Sequence, residues 1–506
     1  MPIPNPLRSP VPEWEHRPSA DASSAWGGLL NTRFSELASN TIDYWMLPDT
    51  DDVSESTLLE AIESAPVSDD STVQIYIHVP FCAQRCRFCA FSGGNSLDFK
   101  QAERFTGHLI TQLHDLLERT PVAKRRIRSV NIGGGSPDLL GPSVGKILTA
   151  VRNLSGCDDD TEIAVEFTLS TLKKDFVDEL VRHKVMKASF GVQTFDPAIR
   201  RHLRQPPSVV NFDQALEWLG GRIPIVNADL ITGLPGQELG TALDDLHRLM
   251  QDPRITAVSS YVLTSGAAPS LLAALGSEKI PPLAPPKDHA QMRLLTYSTL
   301  AKEGWRRRGT NTFYDPTVGR DLLHRLVGNE CIGTQRYEDY LIGVGPQAVS
   351  SLPGVRIENR VDIEGWNQTV ENGHCPWHLP KCATVHQRDT LLWAFPLRWE
   401  GLPKEPLEKG FRKGHFTPEQ IETLHRYVQE GFIVETEDKF ALSILGEVFM
   451  GHLVRGLKNR EGRLAIDEYI REGQALGTAI AQGKVADRNA ANNRQSVSDL
   501  LLEDRP

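Results

Sequence analysis

The stretch IYIHVPFCAQRCRFCAFSGG, residues 75–94, places three cysteines shortly after an apolar run. Cys82, Cys86 and Cys89 are separated by three and then two residues. An apolar, β-branched run of this kind predicts a buried strand, so the cysteines fall on the loop at its carboxyl end. Three of the seven cysteines in the 506-residue chain therefore share one short loop.

Three explanations compete for this loop. A zinc site usually takes four ligands, and no further Cys or His follows at a suitable spacing, since His78 precedes the cysteines and falls on the strand. A disulfide would leave one thiol over. Three thiolates on one loop suit a [4Fe–4S] cluster that leaves one iron open to a chelating small molecule. The spacing favours the cluster, with the three cysteines as its metal ligands.

The composition predicts a globular cytoplasmic enzyme. Hydrophobic residues make up 40% of the chain and charged residues 24%, and the formal net charge is −10. An acidic chain disfavours a nucleic-acid partner. No run of eighteen apolar residues and no signal-like N-terminus is visible, so we expect no membrane partner. Clustered cysteines in odd number fit a reducing compartment better than a disulfide framework.

Six apolar runs without polar alternation follow one another, with helical patterns between them. Such runs predict a parallel sheet that is covered on both faces, and hence an α/β fold, either a barrel or an open sheet, over residues 73–350. The predicted strands are 73–79, 129–135, 162–168, 187–193, 226–233 and 257–263.

The remaining segments are predicted from composition and hydrophobic pattern alone. Residues 1–72 are rich in Pro, Ser and Asp and form either an extended arm with a short helix near 25–45 or a disordered leader. Residues 351–382 form a connecting segment. The pattern over 417–457 predicts helix, β-hairpin and helix, so we interpret 383–460 as a winged-helix-like domain. Such a domain would either pack on the rest of the protein or cover the substrate. Residues 461–506 form a helical, polar tail.

The cysteine motif resembles that of radical S-adenosylmethionine (SAM) enzymes, and YIHVPFCAQRCRFC is similar to their oxygen-independent coproporphyrinogen III oxidase-like (HemN-like) subfamily. The resemblance implies a partial (β/α)6 barrel with an N-terminal arm and a mainly helical C-terminal domain. It also implies that SAM chelates the open iron and is cleaved to a 5′-deoxyadenosyl radical, with an electron donor such as flavodoxin or ferredoxin. Further similar stretches are GGGSP (133–137), VEFT (165–168), SFGVQTFD (189–196), DLITGLPGQ (229–237) and LIGVGPQA (341–348).

Room for two SAM molecules distinguishes this subfamily, and the resemblance assigns residues to each. Asp229 is assigned to catalysis together with the three cysteines, because a carboxylate in a buried strand needs a partner such as a ribose hydroxyl or an ammonium group. The first SAM would contact Tyr76, Gly134, Glu166 and Val349, and the second Phe88, Gly135, Ser136, Gln193, Asp229 and Val262.

Four departures from the subfamily pattern qualify these assignments. Ser136 stands where Thr is usual, and Gln205 stands where an Arg is expected, so Arg204 takes that role through a local shift or the contact is absent. The loop AFSGGN after Cys89 lacks the additional cysteine of the coproporphyrinogen oxidases, which weakens the decarboxylation hypothesis. GVGPQAVS replaces a more glycine-rich run of the haem-chaperone branch.

The resemblance favours the class C C-methyltransferase branch, which includes haem-degrading and cyclopropane-forming enzymes of natural-product pathways. There the second SAM supplies a methylene or methyl group to an sp2 carbon of a small-molecule substrate. Oxidative decarboxylation and haem delivery remain alternatives. The stretch 319–347 is similar to the haem-degrading methylases and would place Arg320, His324 and Arg325 on one helical face, suited to acidic substrate groups or exposed to solvent.

Two further features stay open in the sequence. Cyclopropanation needs a base, for which His202, His324 and His386 are candidates, and some systems hand this step to a partner methyltransferase. A second group of potential ligands fits no standard zinc spacing, and we interpret it as local packing or a substrate lid rather than a metal site. It comprises His374, Cys375, His378, Cys382 and His386.

Overall fold

The computed structural model describes residues 50–52, 54–69, 71–89, 93–94, 96–122, 124–263, 268–309, 311–326, 339–353, 355–383, 397, 401–405, 407 and 417–458. Most of the predicted arm and the whole predicted tail at 461–506 lie outside these residues. The first described elements are strand β1 (Thr50–Asp52) and helix α1 (Glu55–Glu63). Ser54 caps the N-terminus of helix α1, and its Oγ accepts a hydrogen bond from the Thr57 N–H.

Six parallel strands lie side by side in the order of the chain, and helices lie between them along the sequence. This arrangement is the expected partial (β/α)6 barrel, and all six predicted strands are confirmed. The strands are β2 (Val73–Val79), β3 (Ile127–Gly134), β4 (Glu162–Phe167), β5 (Lys187–Gln193), β6 (Ile225–Thr232) and β7 (Ala257–Val262).

Helices cover the outer face of these strands. Helix α2 begins with a capping box at Asp98, and its apolar side packs on the sheet through Phe105 and Leu109. A 3₁₀ helix (Pro137–Ser143) follows β3. The α-helices are α2 (Phe99–Arg119), α3 (Val144–Arg152), α4 (Lys174–Arg182), α5 (Pro197–His202), α6 (Phe212–Leu219), α7 (Leu239–Met250), α8 (Pro269–Gly276) and α9 (Pro286–Lys302).

The barrel strands alternate in polarity, contrary to the sequence-based expectation of uniformly apolar runs. Ile75, Val130 and Phe190 are among the residues that face the helices and join the main hydrophobic core. The alternate residues face the barrel interior, where buried polar groups bond to one another and so avoid most of the cost of desolvation. Those buried interior residues include Gln74, His78, Ser129, Asn131, Glu162, Lys187, Ser189, Asn227 and Ser259.

The sheet continues past the barrel on both sides. On one side, β9 pairs antiparallel to β7 and β8 pairs antiparallel to β9, and helix α10 follows these strands in the chain. On the other side, β10 pairs parallel to β2. Three antiparallel strands follow β10, and β1 lies at the far edge of the sheet. The predicted connecting segment 351–382 therefore contains strands of the main sheet. These elements are β8 (Arg306–Arg308), β9 (Thr312–Tyr314), α10 (Arg320–Arg325), β10 (Tyr340–Val344), β11 (Val349–Leu352), β12 (Val355–Asn359), α11 (Ile363–Glu371) and β13 (Trp377–Ala383).

The C-terminal part has its own hydrophobic cluster, with Leu424, Phe432 and Leu453 buried in it. Its order of helix, β-hairpin and helix confirms the predicted pattern. Among the described residues, no helix combines the length and the apolar character required to cross a bilayer. The elements are β14 (Leu402–Pro403), α12 (Pro418–Gln429), β15 (Ile433–Glu435), β16 (Lys439–Leu442), α13 (Ile444–Val448) and α14 (Met450–Leu457).

Candidate cofactor site at the barrel mouth

The cysteine loop lies directly beyond the carboxyl end of β2. The Cys82 N–H donates to the Gly94 carbonyl at 3.2 Å, and the Gly94 N–H donates to the Pro80 carbonyl at 2.7 Å. Within the loop, the Cys89 N–H donates to the Cys86 carbonyl at 3.3 Å. These backbone bonds hold all three thiols at the mouth of the barrel, as the sequence predicts for a loop after a strand.

The carboxyl end of helix α5 forms hydrogen bonds with the cysteine loop. The Arg87 N–H donates to the Leu203 carbonyl at 2.9 Å, just after helix α5 ends. The Arg87 guanidinium donates to the His202 carbonyl, and the Gln84 side-chain amide donates to the Arg204 carbonyl. The carboxyl end of α5 is thereby bound to the cysteine loop.

The three thiols influence one another electrostatically. Burial raises the pKa of Cys82 to about 11 and that of Cys86 to about 12, and the nearby Cys89 adds to both shifts. Hydrogen bonds from Ser136 to Cys82 and from Gln205 to Cys86 act in the opposite direction. Thiols release their protons when they ligate a metal, so cluster binding would displace the protons that burial favours on Cys82 and Cys86.

This donor set fits a [4Fe–4S] cluster. Soft thiolates are the usual cluster ligands, and polar donors beside the sulfurs are the usual supporting groups. Among the described residues, no three His, Cys, Asp or Glu side chains are arranged to hold a single metal ion. The three thiols of the loop offer positions for a cluster, with one iron free of protein ligands.

Two glycines allow the end of β3 to approach the cysteine loop. Gly134 has φ of 106°, and a Cβ there would lie 2.7 Å from the His78 ring. A Cβ on Gly135 would lie 2.4 Å from the Phe81 carbonyl oxygen. The Ser136 N–H donates to that same oxygen at 2.6 Å. Side chains at either glycine would push the loop away from the barrel.

Two carboxylates face the interior from β4 and β6. Glu166 accepts a hydrogen bond from the Asn131 amide at 3.0 Å. Asp229 accepts from the Asn227 amide at 2.7 Å and, more weakly, from the Ser189 hydroxyl at 3.3 Å. Only β5 separates the two strands. Each carboxylate can accept further hydrogen bonds from an ammonium group or from hydroxyls of a ligand.

The pKa of Asp229 is shifted by burial and by its charged neighbours Glu166 and Lys187. Burial, together with the charge of Glu166, raises the pKa of Asp229 to about 7, and Lys187 opposes the shift. Lys187 is itself fully buried, with its Nζ 3.3 Å from the Tyr314 hydroxyl. A cationic or hydroxyl-bearing ligand would favour the ionised form of Asp229 in the same way.

Tyr76 and His78 form a pair on β2. The Tyr76 hydroxyl and His78 Nδ1 are 2.8 Å apart, and burial lowers the pKa of His78 to about 4. His78 is therefore neutral at physiological pH. In register, Tyr76 lies between Asn131 of β3 and Gly343 of β10. Tyr76 thus sits on the same interior face as Glu166, as expected for neighbours of one ligand.

The other predicted contact residues are distributed around the barrel mouth. Gln193 ends β5 with φ of 66°, Val262 ends β7, and Phe88 is half-buried in the cysteine loop. Val349 begins β11, and its carbonyl oxygen would lie 2.3 Å from a Cβ on Gly343. Their contacts to SAM stay predictions.

Arg204 differs from the other candidates because it is exposed, whereas the adjacent Gln205 reaches the Cys86 sulfur. Arg204 has φ of 58°, so the chain turns there. The structure thus brings Gln205, not Arg204, to the cysteine loop. The contact from Arg204 to SAM stays a prediction.

Sequence reasoning missed the polar network beneath the site. Asn227 donates to Ser189 at 2.7 Å, and Ser259 donates to Asn227 at 3.0 Å. The available signal was a polar residue at every second position of the apolar runs. Parts of two predicted clusters lie outside the described side chains. These are His324 and Arg325 in helix α10, and His378, Cys382 and His386 in the second ligand group.

Comparisons with known proteins agree with this geometry. Residues 76–249 match the family described as the Radical SAM superfamily. Oxygen-independent coproporphyrinogen III oxidase of Escherichia coli K12 is 25% identical over 346 residues, which cover 65% of this chain and 71% of that protein. The heme chaperone HemW of Haemophilus influenzae is 29% identical over 401 residues, which cover 76% of this chain and 97% of that protein.

A solved structure shows the same fold. Coproporphyrinogen III oxidase (HemN) from Escherichia coli superposes with a TM-score of 0.64 at 17% identity, covering 80% of this chain and 94% of that one. The barrel and the cysteine loop agree with the matched Radical SAM superfamily model, which covers residues 76–249, and this superfamily implies a [4Fe–4S] cluster and SAM. The chain is similar to HemN-like proteins, which here are the coproporphyrinogen III oxidases and HemW.

Proposed function

We propose that this protein is a HemN-like radical SAM C-methyltransferase that binds two SAM molecules. One SAM is cleaved, and the other supplies a methylene or methyl group to an sp2 carbon of a small-molecule substrate. The observation that carries this proposal is the pair of interior carboxylates, Glu166 and Asp229, each with its own hydrogen-bonding neighbours.

The first SAM is assigned to the side of the site next to the cysteine loop. Cys82, Cys86 and Cys89 would hold the cluster, which would supply the electron for reductive cleavage of SAM to methionine and a 5′-deoxyadenosyl radical. Gly134 and Gly135 let the end of β3 pack closely against His78 and Phe81, which keeps the β3 backbone beside the cysteine loop, where the amino-acid portion of a ligand would bind. Glu166 and Tyr76 lie on the same interior face and offer an acceptor and a hydroxyl.

The second SAM is assigned to the side of the site near β6. Asp229 is a half-buried carboxylate with a pKa of about 7, so its charged form is poorly stabilised by the protein alone. Ribose hydroxyls or an ammonium group would complete its hydrogen bonding. Gln193 and Val262, at the ends of the flanking strands, would line this position.

Partners follow from the proposed chemistry. An electron donor such as flavodoxin or ferredoxin would reduce the cluster. Cyclopropane formation would require a base, for which His202 near the cysteine loop is a described candidate, or a partner methyltransferase. No nucleic acid or membrane partner is proposed for this acidic chain.

Methyl-deuterated SAM tests the proposal. Reconstituted protein would be incubated anaerobically with dithionite, methyl-deuterated SAM and, in turn, haem, coproporphyrinogen III and indole-3-acetic acid. We expect deuterium in 5′-deoxyadenosine and S-adenosylhomocysteine in comparable amount with at least one acceptor. Unlabelled 5′-deoxyadenosine with every acceptor would overturn the proposal.

Binding stoichiometry tests the second site separately. Equilibrium dialysis should give two SAM molecules per wild-type chain and one per Asp229→Ala chain, with iron and sulfide content unchanged. A single SAM in the wild type, or two in the variant, would remove the assignment of Asp229.

The relatives supply two alternative functions. Coproporphyrinogen-type oxidative decarboxylation is favoured by the similarity to the Escherichia coli oxidase. It would show as carbon dioxide released from coproporphyrinogen III without S-adenosylhomocysteine. Haem delivery is favoured by the similarity to HemW, which extends over most of both chains. It would show as haem binding with little 5′-deoxyadenosine or S-adenosylhomocysteine.

A further inference from the structure

We propose that Gln205 raises the reduction potential of the bound cluster through a hydrogen bond to the Cys86 sulfur. The inference rests on the cluster of the proposed function, but not on methyl transfer or on the second SAM. Gln205 occupies the position where the subfamily resemblance predicts an arginine. The structure thus gives this substitution a role of its own.

The side-chain geometry identifies the donor. Gln205 Nε2 lies 3.5 Å from the Cys86 Sγ, within the range for a hydrogen bond to sulfur. The amide oxygen carries lone pairs and would be repelled by a thiolate, so the orientation with nitrogen toward sulfur is the favourable one. Among the three cluster cysteines, Cys82 has a different donor, the hydroxyl of Ser136.

The backbone around Gln205 holds the donor in place. The Gln205 N–H donates to the Arg200 carbonyl at 2.9 Å. The buried Arg200 guanidinium donates in turn to the carbonyls of Val192, Thr194 and Pro206, at 2.7, 2.9 and 2.7 Å. The turn after α5 is therefore fixed on the barrel. A donor held this way loses little entropy when the thiolate accepts its hydrogen bond.

The amide oxygen of Gln205 could accept a hydrogen bond from a ligand bound beside the sulfur. Gln205 Oε1 is buried, and no donor of the described residues reaches it. A buried acceptor without a partner carries a desolvation cost of about 1–3 kcal/mol. A donor group of the ligand that occupies the open iron would remove this cost. One side chain would then contact both a cluster thiolate and the bound cofactor.

The hydrogen bond from Gln205 should shift the reduction potential of the cluster upward. Reduction adds negative charge to the cluster and its thiolates, and a hydrogen bond to a thiolate stabilises the more negative state. The amide dipole of Gln205 should therefore raise the potential. An arginine would raise it more because it adds a full positive charge, whereas a carboxylate would lower it.

A variant series at this position tests the inference. Midpoint potentials would be measured by anaerobic redox titration with electron paramagnetic resonance, on reconstituted full-length protein without SAM or substrate. We expect the potential to fall in the order Gln205→Arg, wild type, Gln205→Leu, Gln205→Glu. Iron and sulfide content confirms that each variant carries an intact cluster, and the comparison is restricted to variants that do.

Gln84→Leu is the matched control. Gln84 lies on the cysteine loop and carries the same side chain, but it donates to the Arg204 carbonyl and not to a sulfur. Its replacement should leave the potential at the wild-type value. Equal potentials for wild type and Gln205→Leu would overturn the inference, as would an equal shift in Gln84→Leu. Neither result would bear on methyl transfer, which the deuterium experiment tests.

Discussion

At the scale of single residues, Asp229 links the buried polar interior to ligand binding. Without a ligand, its charge is opposed by burial and by Glu166, and it is supported by Asn227 and Lys187. A folded-state pKa above the unfolded value means that the native protein binds more protons than the unfolded chain. Native stability then falls as the pH rises from the unfolded to the folded pKa.

Asp229→Asn tests this linkage. The window runs from about pH 4 to about pH 7, the two pKa values of Asp229. Each unit of pKa shift corresponds to about 1.4 kcal/mol, so the variant should gain a few kcal/mol over wild type at pH 8 and little at pH 4. Thermal unfolding without SAM at both pH values measures it. A gain that is equal at both pH values would contradict the pKa assignment.

Gly135→Ala tests the contact between β3 and the cysteine loop. The new Cβ would lie 2.4 Å from the Phe81 carbonyl oxygen, so the backbone before Cys82 must move. We expect clearly less iron and sulfide per chain after reconstitution. Gly107→Ala is the control, because nothing lies within 4 Å of its Cβ on helix α2. Full cluster content in Gly135→Ala would show that the loop tolerates the shift.

At the scale of elements, the sequence predicted the barrel strands well and their interior poorly. Runs such as 162–167 were recognisable because one face of each strand is strongly apolar. Glu162 and Lys187 are not predictable as interior residues because single buried charges are rare, and the Tyr314 hydroxyl beside Lys187 lies on β9. Residues 351–382 lack a helix–strand alternation in sequence. The pattern therefore predicts only a connecting segment where the structure has the antiparallel strands β12 and β13.

The turn after α5 gives a prediction at this scale. Arg200→Met should remove three hydrogen bonds to buried carbonyls and destabilise the protein by about 2–4 kcal/mol. The exposed neighbour gives the control, since Arg201→Met should change stability by less than about 0.5 kcal/mol. Chemical denaturation of the cluster-loaded protein compares them. Equal stabilities would show that the turn does not depend on Arg200.

At the scale of the whole molecule, the C-terminal part is fastened to the barrel sheet by buried polar contacts. Arg307 of β8 forms an ion pair with Glu447 of α13, and both side chains are almost fully buried. Arg293 of α9 donates to the Val448 carbonyl at 3.1 Å. The sequence predicted the helix–hairpin–helix order, but no local pattern pairs residues 140 positions apart.

Arg307→Met tests this junction. Breaking a buried ion pair from one side leaves an uncompensated charge and should lower the free energy of unfolding by about 3–5 kcal/mol. The double variant Arg307→Met/Glu447→Leu should recover most of that loss, because neither charge remains. Denaturant unfolding of both variants measures the difference. A double variant no more stable than the single one would show that the charges are not coupled.

Every proposed step requires that Cys82, Cys86 and Cys89 hold a [4Fe–4S] cluster whose fourth iron binds SAM. Electron paramagnetic resonance of the anaerobically reconstituted, dithionite-reduced protein tests it most directly, with and without SAM. We expect about four irons and four sulfides per chain, a cubane signal that changes when SAM is added, and loss of that signal in Cys86→Ala. No cubane signal, or one that SAM leaves unchanged, would contradict it.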